Sequence, residues 1–357
     1  MASLTGPVQY AAASARVRGR LARLLPASTW STLISAADPG EFVRELMATD
    51  YAQTIADASS EPVETGPVES RLRQHMAHGF QAPLRFLPRS TRELLDWRWR
   101  HLEIDNIKMI LRGVERGASA ERIVSTLVPL GPGSDVAWEN LAQAVSVAAV
   151  VDQLRGTFYG RALRPALDQY AEEHRLFALE VRLDLEYHRR LLKLIEGLGG
   201  EDRHVAERFL GFMIDSQNVI WALRYRIYYH LSPEEILNFT LNHGVRVRPS
   251  SMQEIAAGAD PVDVLQRVWD GKLGELQALR GLTREEVLAR AESLFNRYLY
   301  RQAIKTLQGF PLGLGIVLAY HTLLEFEVYD LVTVLEGKAV GYAPDQIRPL
   351  LITPRGR

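Results

Sequence analysis

The sequence contains no cysteine, which removes disulfides, thiolate metal ligands and cysteine nucleophiles together and suits a cytosolic setting. Lysine is scarce as well: five lysines stand against 37 arginines, a bias from which no function follows. Neither sign of charge is in excess, since 42 basic and 43 acidic residues leave a net charge of -1, so binding to nucleic acid is not expected. Long apolar runs are missing. The longest, 144–151 and 310–320, end at Asp152 and His321, far short of the roughly 20 residues that span a bilayer. No membrane-spanning segment is expected, and the N-terminus lacks the basic, apolar and small-residue succession of a secretory signal.

Signatures of common chemistry are also missing. Gly313-Leu-Gly315 lacks the rest of a dinucleotide fingerprint, and no Walker lysine pattern occurs. There is neither a Gly-x-Ser-x-Gly elbow nor a His-Glu-x-x-His zinc helix.

What is present is a repeat. Glu103, Asp215 and Glu327 stand 112 and 112 residues apart. Each is followed at plus three by Asn106, Asn218 or Asp330 and at plus eight by Leu111, Leu223 or Leu335. About ten residues further on, a second short helix is expected around Ile123, Ile236 or Ile347. A chain of 357 residues, 47% apolar and 24% charged, has room for three globular units of about 110 residues, and self-similarity at this interval predicts one unit built three times.

The local pattern is helical almost throughout. Ile104, Ile107, Leu111 and Val114 repeat at three and four residues, as do Leu176, Leu179, Leu183 and Tyr187. Ser90 with Glu93, Ser232 with Glu235 and Thr283 with Glu286 read as capping boxes. Residues 131–134 (Gly-Pro-Gly-Ser) and 244–251 read as linkers between units, and 59–67 as a loop within the first. Asp38-Pro39 and Asp260-Pro261 each open a short helix, whose middle counterpart, near Val150 to Leu154, lacks the Asp-Pro.

Four groups invite a functional reading, and each has a plainer one. His75 and His78 are spaced to chelate a metal, but no carboxylate or cysteine partner is signalled nearby, which favours a surface or interhelical role. Glu201-x-x-His204 matches half of a di-iron motif that needs two such motifs on facing helices; the expectation is a solvated charged turn. The aromatic stretch from Trp221 to Tyr229 has no basic surroundings and is expected to pack in the core. The three recurring acids could line a cation site, but an acid present in every copy is expected to do the same packing job three times, by capping or bonding a neighbouring helix. No catalytic, cofactor-binding or metal-binding residue is assigned.

Tyr10 with Ala15-Arg16-Val17-Arg18, the stretch Glu103 to Arg112, Asp215-x-x-Asn218, Glu325-x-Glu327, Gly337-Lys338, Pro344 and Ile347-Arg348 resemble the C subunit of V/A-type rotary ATPases, the family of the eukaryotic d subunit. The resemblance runs over nearly the full length. It implies an all-α, funnel-like body of three pseudo-symmetric helical repeat units: an N-terminal helix at 1–27 and lobes at 28–133, 134–249 and 250–357. It also implies a non-catalytic, peripheral subunit on the cytoplasmic face, one copy per complex. Such a subunit needs no cofactor and links rotor shaft subunits of D and F type to the membrane proteolipid ring, transmitting torque for proton or sodium transport. The alternatives are an independent helical scaffold for soluble partners and a helical enzyme with one specialised acidic site.

Overall fold

The computed structural model describes residues 8–59, 62–130, 133–269, 271, 273–309 and 312–353, and among them there is no strand. The chain is all-α. The helices of eleven residues or more are α1 (Ala11–Leu21), α2 (Thr65–Gln81), α3 (Arg89–Trp99), α4 (His101–Glu115), α5 (Phe177–Glu196), α6 (Phe212–Tyr228), α7 (Arg284–Leu307) and α8 (Leu314–Ala339).

Helix spacing explains which faces are buried. Along α5, Leu179, Leu183, Tyr187, Leu191 and Ile195 recur every four residues and are all buried. Helix α8 is apolar on every side: Val317, Leu318, Ala319, Leu331, Val334 and Leu335 are all fully or almost fully buried, as expected of a helix wrapped by neighbours. Those neighbours include α1, α2, α7 and the short helix Gly200–Ala206. The long helices pack in a recurring order, with α3 and α4 against α5, α6 against α7, and α8 against α2.

Short helices frame the long ones. Pairs open at Ala27–Ser35 and Pro39–Leu46, at Trp138–Ala142 and Val147–Gln153, and at Pro249–Ala257 and Pro261–Trp269. Single short helices follow α4, α6 and α8 at Ala120–Thr126, Pro233–Asn238 and Pro344–Ile347, burying Ile123, Ile236 and Ile347. Two of them press on a glycine, because a Cβ at Gly113 or Gly337 would come within 2.5 or 2.9 Å of Ile123 or Ile347.

Several expectations need correction. Ser232 and Thr283 form complete capping boxes, but α3 starts at Arg89 with Pro88 as N-cap, so Ser90 lies inside the first turn. Glu93 pairs instead with Arg190 at 2.7 Å. The middle counterpart of the Asp-Pro helices is Val147–Gln153, where Ser146 caps by accepting from the Ala149 N–H. Residues 201–204 are helical, within Gly200–Ala206, because that helix runs through a π-turn at Glu207–Gly211 into α6. Of the expected linkers, Gly131 and Pro132 lie outside the described residues, as do Ser60 and Glu61 of the first loop. Pro249 already begins a helix, and so does Thr65.

One buried cluster ties α3, α5 and α8 together. The Arg98 guanidinium pairs with Glu325 at 2.5 Å and lies over the Phe80 ring, on which the imidazole of His321 stacks. The Tyr187 hydroxyl donates to the Arg98 carbonyl, and the Trp97 indole N–H donates to the Tyr187 carbonyl, each at 3.0 Å. Removing one member of a buried charge pair strands the other, at about 3 kcal/mol or more. Glu325→Ala is therefore expected to lower unfolding stability by about 3 kcal/mol in urea denaturation, whereas removing the exposed partner in Glu93→Ala changes it by about 0.5 kcal/mol or less.

Candidate functional site

Each of the three acids sits on a long helix with its carboxylate buried, and each receives donors from a segment that leads into a pair of short helices. Glu103 accepts from the Ser134 hydroxyl, four residues before the helix at Trp138, from the Tyr159 hydroxyl and, at 2.9 Å, from Arg100. Asp215 accepts from the backbone N–H groups of Val245, Arg246 and Val247 at 2.9, 2.8 and 3.4 Å, just before the helix at Pro249. Glu327 accepts from the Leu25 N–H and the Tyr51 hydroxyl, both at 2.9 Å, and Leu25 precedes the helix at Ala27. The contact lies 31 residues ahead for Glu103, 30 to 32 for Asp215, and 302 residues back for Glu327.

Acid length and partner vary together. Tyr51, Tyr159 and Leu273 each stand twelve residues after the start of the second short helix, at Pro39, Val147 and Pro261. Where that position is tyrosine the acid is glutamate; where it is leucine the acid is aspartate. Asp215, the shorter side chain, closes directly on the backbone instead. Gly244 makes this approach possible, because a Cβ there would lie 1.7 Å from Asp215 Oδ1.

The residue three further on makes a second clamp. The Asn106 side chain accepts from the Val128 N–H at 2.8 Å and donates to the Val128 carbonyl at 2.9 Å. Asn218 does the same to Leu241, at 2.7 and 2.9 Å. In the third copy the partners are all donors, the Ile352 N–H at 2.7 Å, the Thr353 N–H at 3.2 Å and the Thr353 hydroxyl, and the side chain is the acceptor-only Asp330. In each case a segment with no helical ladder of its own has buried backbone groups satisfied by one side chain.

Burial pushes the Asp215 carboxyl up to about 6, against the pull of its three backbone donors. Burial and the adjacent Glu103 carboxylate hold the Tyr159 hydroxyl far above the ordinary tyrosine range, so it stays a donor. The acids have separate partner sets, and among the described residues no group of three His, Asp or Glu side chains could hold a metal ion.

The remaining groups are dispersed. His75 Nδ1 lies 3.0 Å from the Thr54 hydroxyl, its ring packs on Tyr51 at 4.7 Å, and burial followed by repulsion from Arg20 pushes it down to about 4, so it is neutral near pH 7. His78 is exposed. Asp202, between Glu201 and the exposed His204, accepts from the Tyr10 hydroxyl at 2.6 Å and anchors the start of α1. Trp221 and Tyr225 are in the core as expected, but Tyr228 and Tyr229 are 60% and 50% exposed. Sequence reasoning missed Tyr51 and Tyr159, whose common distance from a helix start was the available signal.

This pattern of clamps spans the whole chain, and so does its likeness to known proteins. The profile of the family described as ATP synthase (C/AC39) subunit matches residues 13–350. The chain belongs to that family. Among its relatives, the C subunit of the A-type ATP synthase of Methanocaldococcus jannaschii is 27% identical over 357 residues, 96% of this chain and 86% of that protein. Its counterpart of the same name from Haloferax volcanii is 26% identical over 341 residues, 95% of this chain and 96% of that protein. That of Methanothermobacter thermautotrophicus is 26% identical over 332 residues, 92% of this chain and 84% of that protein. Family members thus share this chain at nearly full length, which agrees with clamps that reach from residue 25 to residue 353.

Asn218→Ala leaves the buried N–H and C=O of Leu241 without partners and is expected to lower stability by about 3 kcal/mol in chemical denaturation. The pH dependence of Asp215 has the sign opposite to that of a salt-bridged carboxylate. Its folded pKa, about 6, lies above the unfolded value of about 3.9, so the folded state holds the extra proton and this group's contribution to stability is lost as pH rises from about 4 to about 6. A carbon-13 NMR titration of the aspartate carboxyls is expected to show a midpoint near 6 that is lost in Asp215→Ser.

Proposed function

We propose that this chain is the non-catalytic central-stalk component of a V/A-type ATPase or ATP synthase, joining the D- and F-type shaft subunits to the proteolipid ring. It binds as one peripheral copy on the cytoplasmic face, with no active site of its own. Its body is three pseudo-symmetric units, at 28–133, 134–249 and 250–357, behind an N-terminal segment at 1–27 that carries α1, closed into a funnel. The observation that carries this reading is the bond from Glu327 to the Leu25 N–H, which holds the segment leading into the first unit as Glu103 and Asp215 hold the segments leading into the second and third. Packing of α8 on α2 follows the same cyclic order as α6 on α7.

A closed body suits a coupling role. Torque passed through a body with loose seams would be dissipated in opening them, whereas buried hydrogen bonds at every junction keep the units in register. Specificity for shaft and ring then lies in broad contact surfaces rather than in reactive groups. The relatives' name, as the C subunit of A-type ATP synthases, supports the assignment to such a machine.

Removing this chain from the membrane complex is expected to leave ATP hydrolysis in the soluble part while abolishing ATP-driven ion movement in reconstituted vesicles. A chain that purifies as a soluble monomer and binds neither shaft nor ring subunits would sink the proposal.

A further inference from the structure

Three like-built pairs of short helices give an internal control. A residue that serves the shared architecture should recur in every pair, as the N-caps Asp38, Ser146 and Asp260 do, whereas a residue present in one pair serves a task that only that pair has. Counted from Pro39, Val147 and Pro261, the positions eight, fourteen and seventeen residues on are Met47, Gln53 and Ala56 in the first pair and Trp269, Glu275 and Ala278 in the third. In the middle pair they are Arg155, Arg161 and Arg164.

These arginines and Asp152 line a groove of about 510 Å³ whose apolar floor is Ala148, Ala149, Val151 and Leu167. Arg155 makes only an exposed pair with Asp152, at 2.6 Å. Arg161 and Arg164 are exposed and make no ion pair with any described residue, although the like-placed Glu275 is matched by Arg301 at 2.5 Å. Val145, directly before the N-cap of the groove's first helix, is 94% exposed. Asp152 offsets Arg155, which leaves a net excess of two positive charges, those of Arg161 and Arg164, over an apolar floor in a chain whose net charge is -1.

We propose that this groove takes an acidic amphipathic helix of a partner polypeptide. Arg161 and Arg164 are three residues apart, so carboxylates one helical turn apart on the partner meet both guanidinium groups. The alanines leave no bulk on the floor, which lets an apolar helix face approach closely. Two cations over an apolar floor match alternating acidic and apolar faces better than they match a single phosphate. The inference rests on the chain being a subunit of a larger assembly, but not on which subunits surround it.

The test uses the assembled complex, with a photoreactive benzoylphenylalanine replacing Ala148, and reads the cross-linked peptide by mass spectrometry. The expected product is one segment of another subunit with acidic residues three or four apart, and its yield falls about tenfold in Arg161→Glu/Arg164→Glu, whose thermal melt is unchanged. Cross-links to lipid alone, to a segment without such acids, or in a yield indifferent to the two arginines would overturn the proposal. If the unmodified chain enters no complex, the function proposed above fails, and the groove is judged on the isolated full chain. There, a labelled helical peptide of about 20 residues with glutamates on one face and leucines on the other is expected to bind about tenfold more weakly to the double variant and in high salt. Equal binding to both chains overturns the groove.

Discussion

Buried backbone that belongs to no helix is the problem this structure is organised around. A segment crossing between helices carries N–H and C=O groups with no ladder to satisfy them, and burying them unpaired would cost several kcal/mol per segment. The chain meets this with side chains on its long helices. Asn106, Asn218 and Asp330 hold the segments that return after the closing short helix, while Glu103, Asp215 and Glu327 hold those that lead into the next short-helix pair. Acid and clamp stand three apart, which puts them on one face of a helix, so a single face fixes two crossing segments. The recurring acids are thus spaced by architecture: each copy places its acid where the same kind of crossing segment needs an acceptor.

Much of this was legible in the sequence because it depends on local spacing. The helical periodicity and the caps at Ser232 and Thr283 act within a few residues, and the 112-residue interval of the acids emerges from comparing such local patterns with one another. Arg100 aside, the partners of the acids were not legible, because each lies at least 30 residues from its acid and is chosen by packing. Tyr51 and Tyr159 look like ordinary core aromatics until the helix starts are aligned. The capping box at Ser90 failed because Pro88 and Arg89 begin the helix earlier, and the charged residues after Gly200 gave no hint of the π-turn that carries them into α6. Tyr228 and Tyr229 end up exposed where α6 stops, although Tyr229 still packs one side on Phe177, the ring that also covers Tyr225.

The three copies agree on polarity and disagree on charge. Arg112 reaches Glu180 and Arg224 reaches Glu292, each 68 residues on, but the third copy has the exposed Glu336 at that place and makes no such pair among the described residues. Exposed pairs contribute little to stability, so they drift, while the buried clamps persist in all three copies. Charge that differs between copies while the frame stays constant is therefore free to answer to whatever lies outside the chain.

The bond between Glu327 and Leu25 spans 302 residues, whereas the corresponding junctions close over about 31. During synthesis the first two can form soon after their segments emerge, but the third must wait until almost the whole chain has been made. Until then the face of α2 that α8 will cover stays open, and the Leu25 N–H has no carboxylate to meet. A chain interrupted before residue 327 would thus be no smaller version of the finished body: it would be an arc with two sticky ends, and nascent copies crowded on one message could close on each other instead of on themselves.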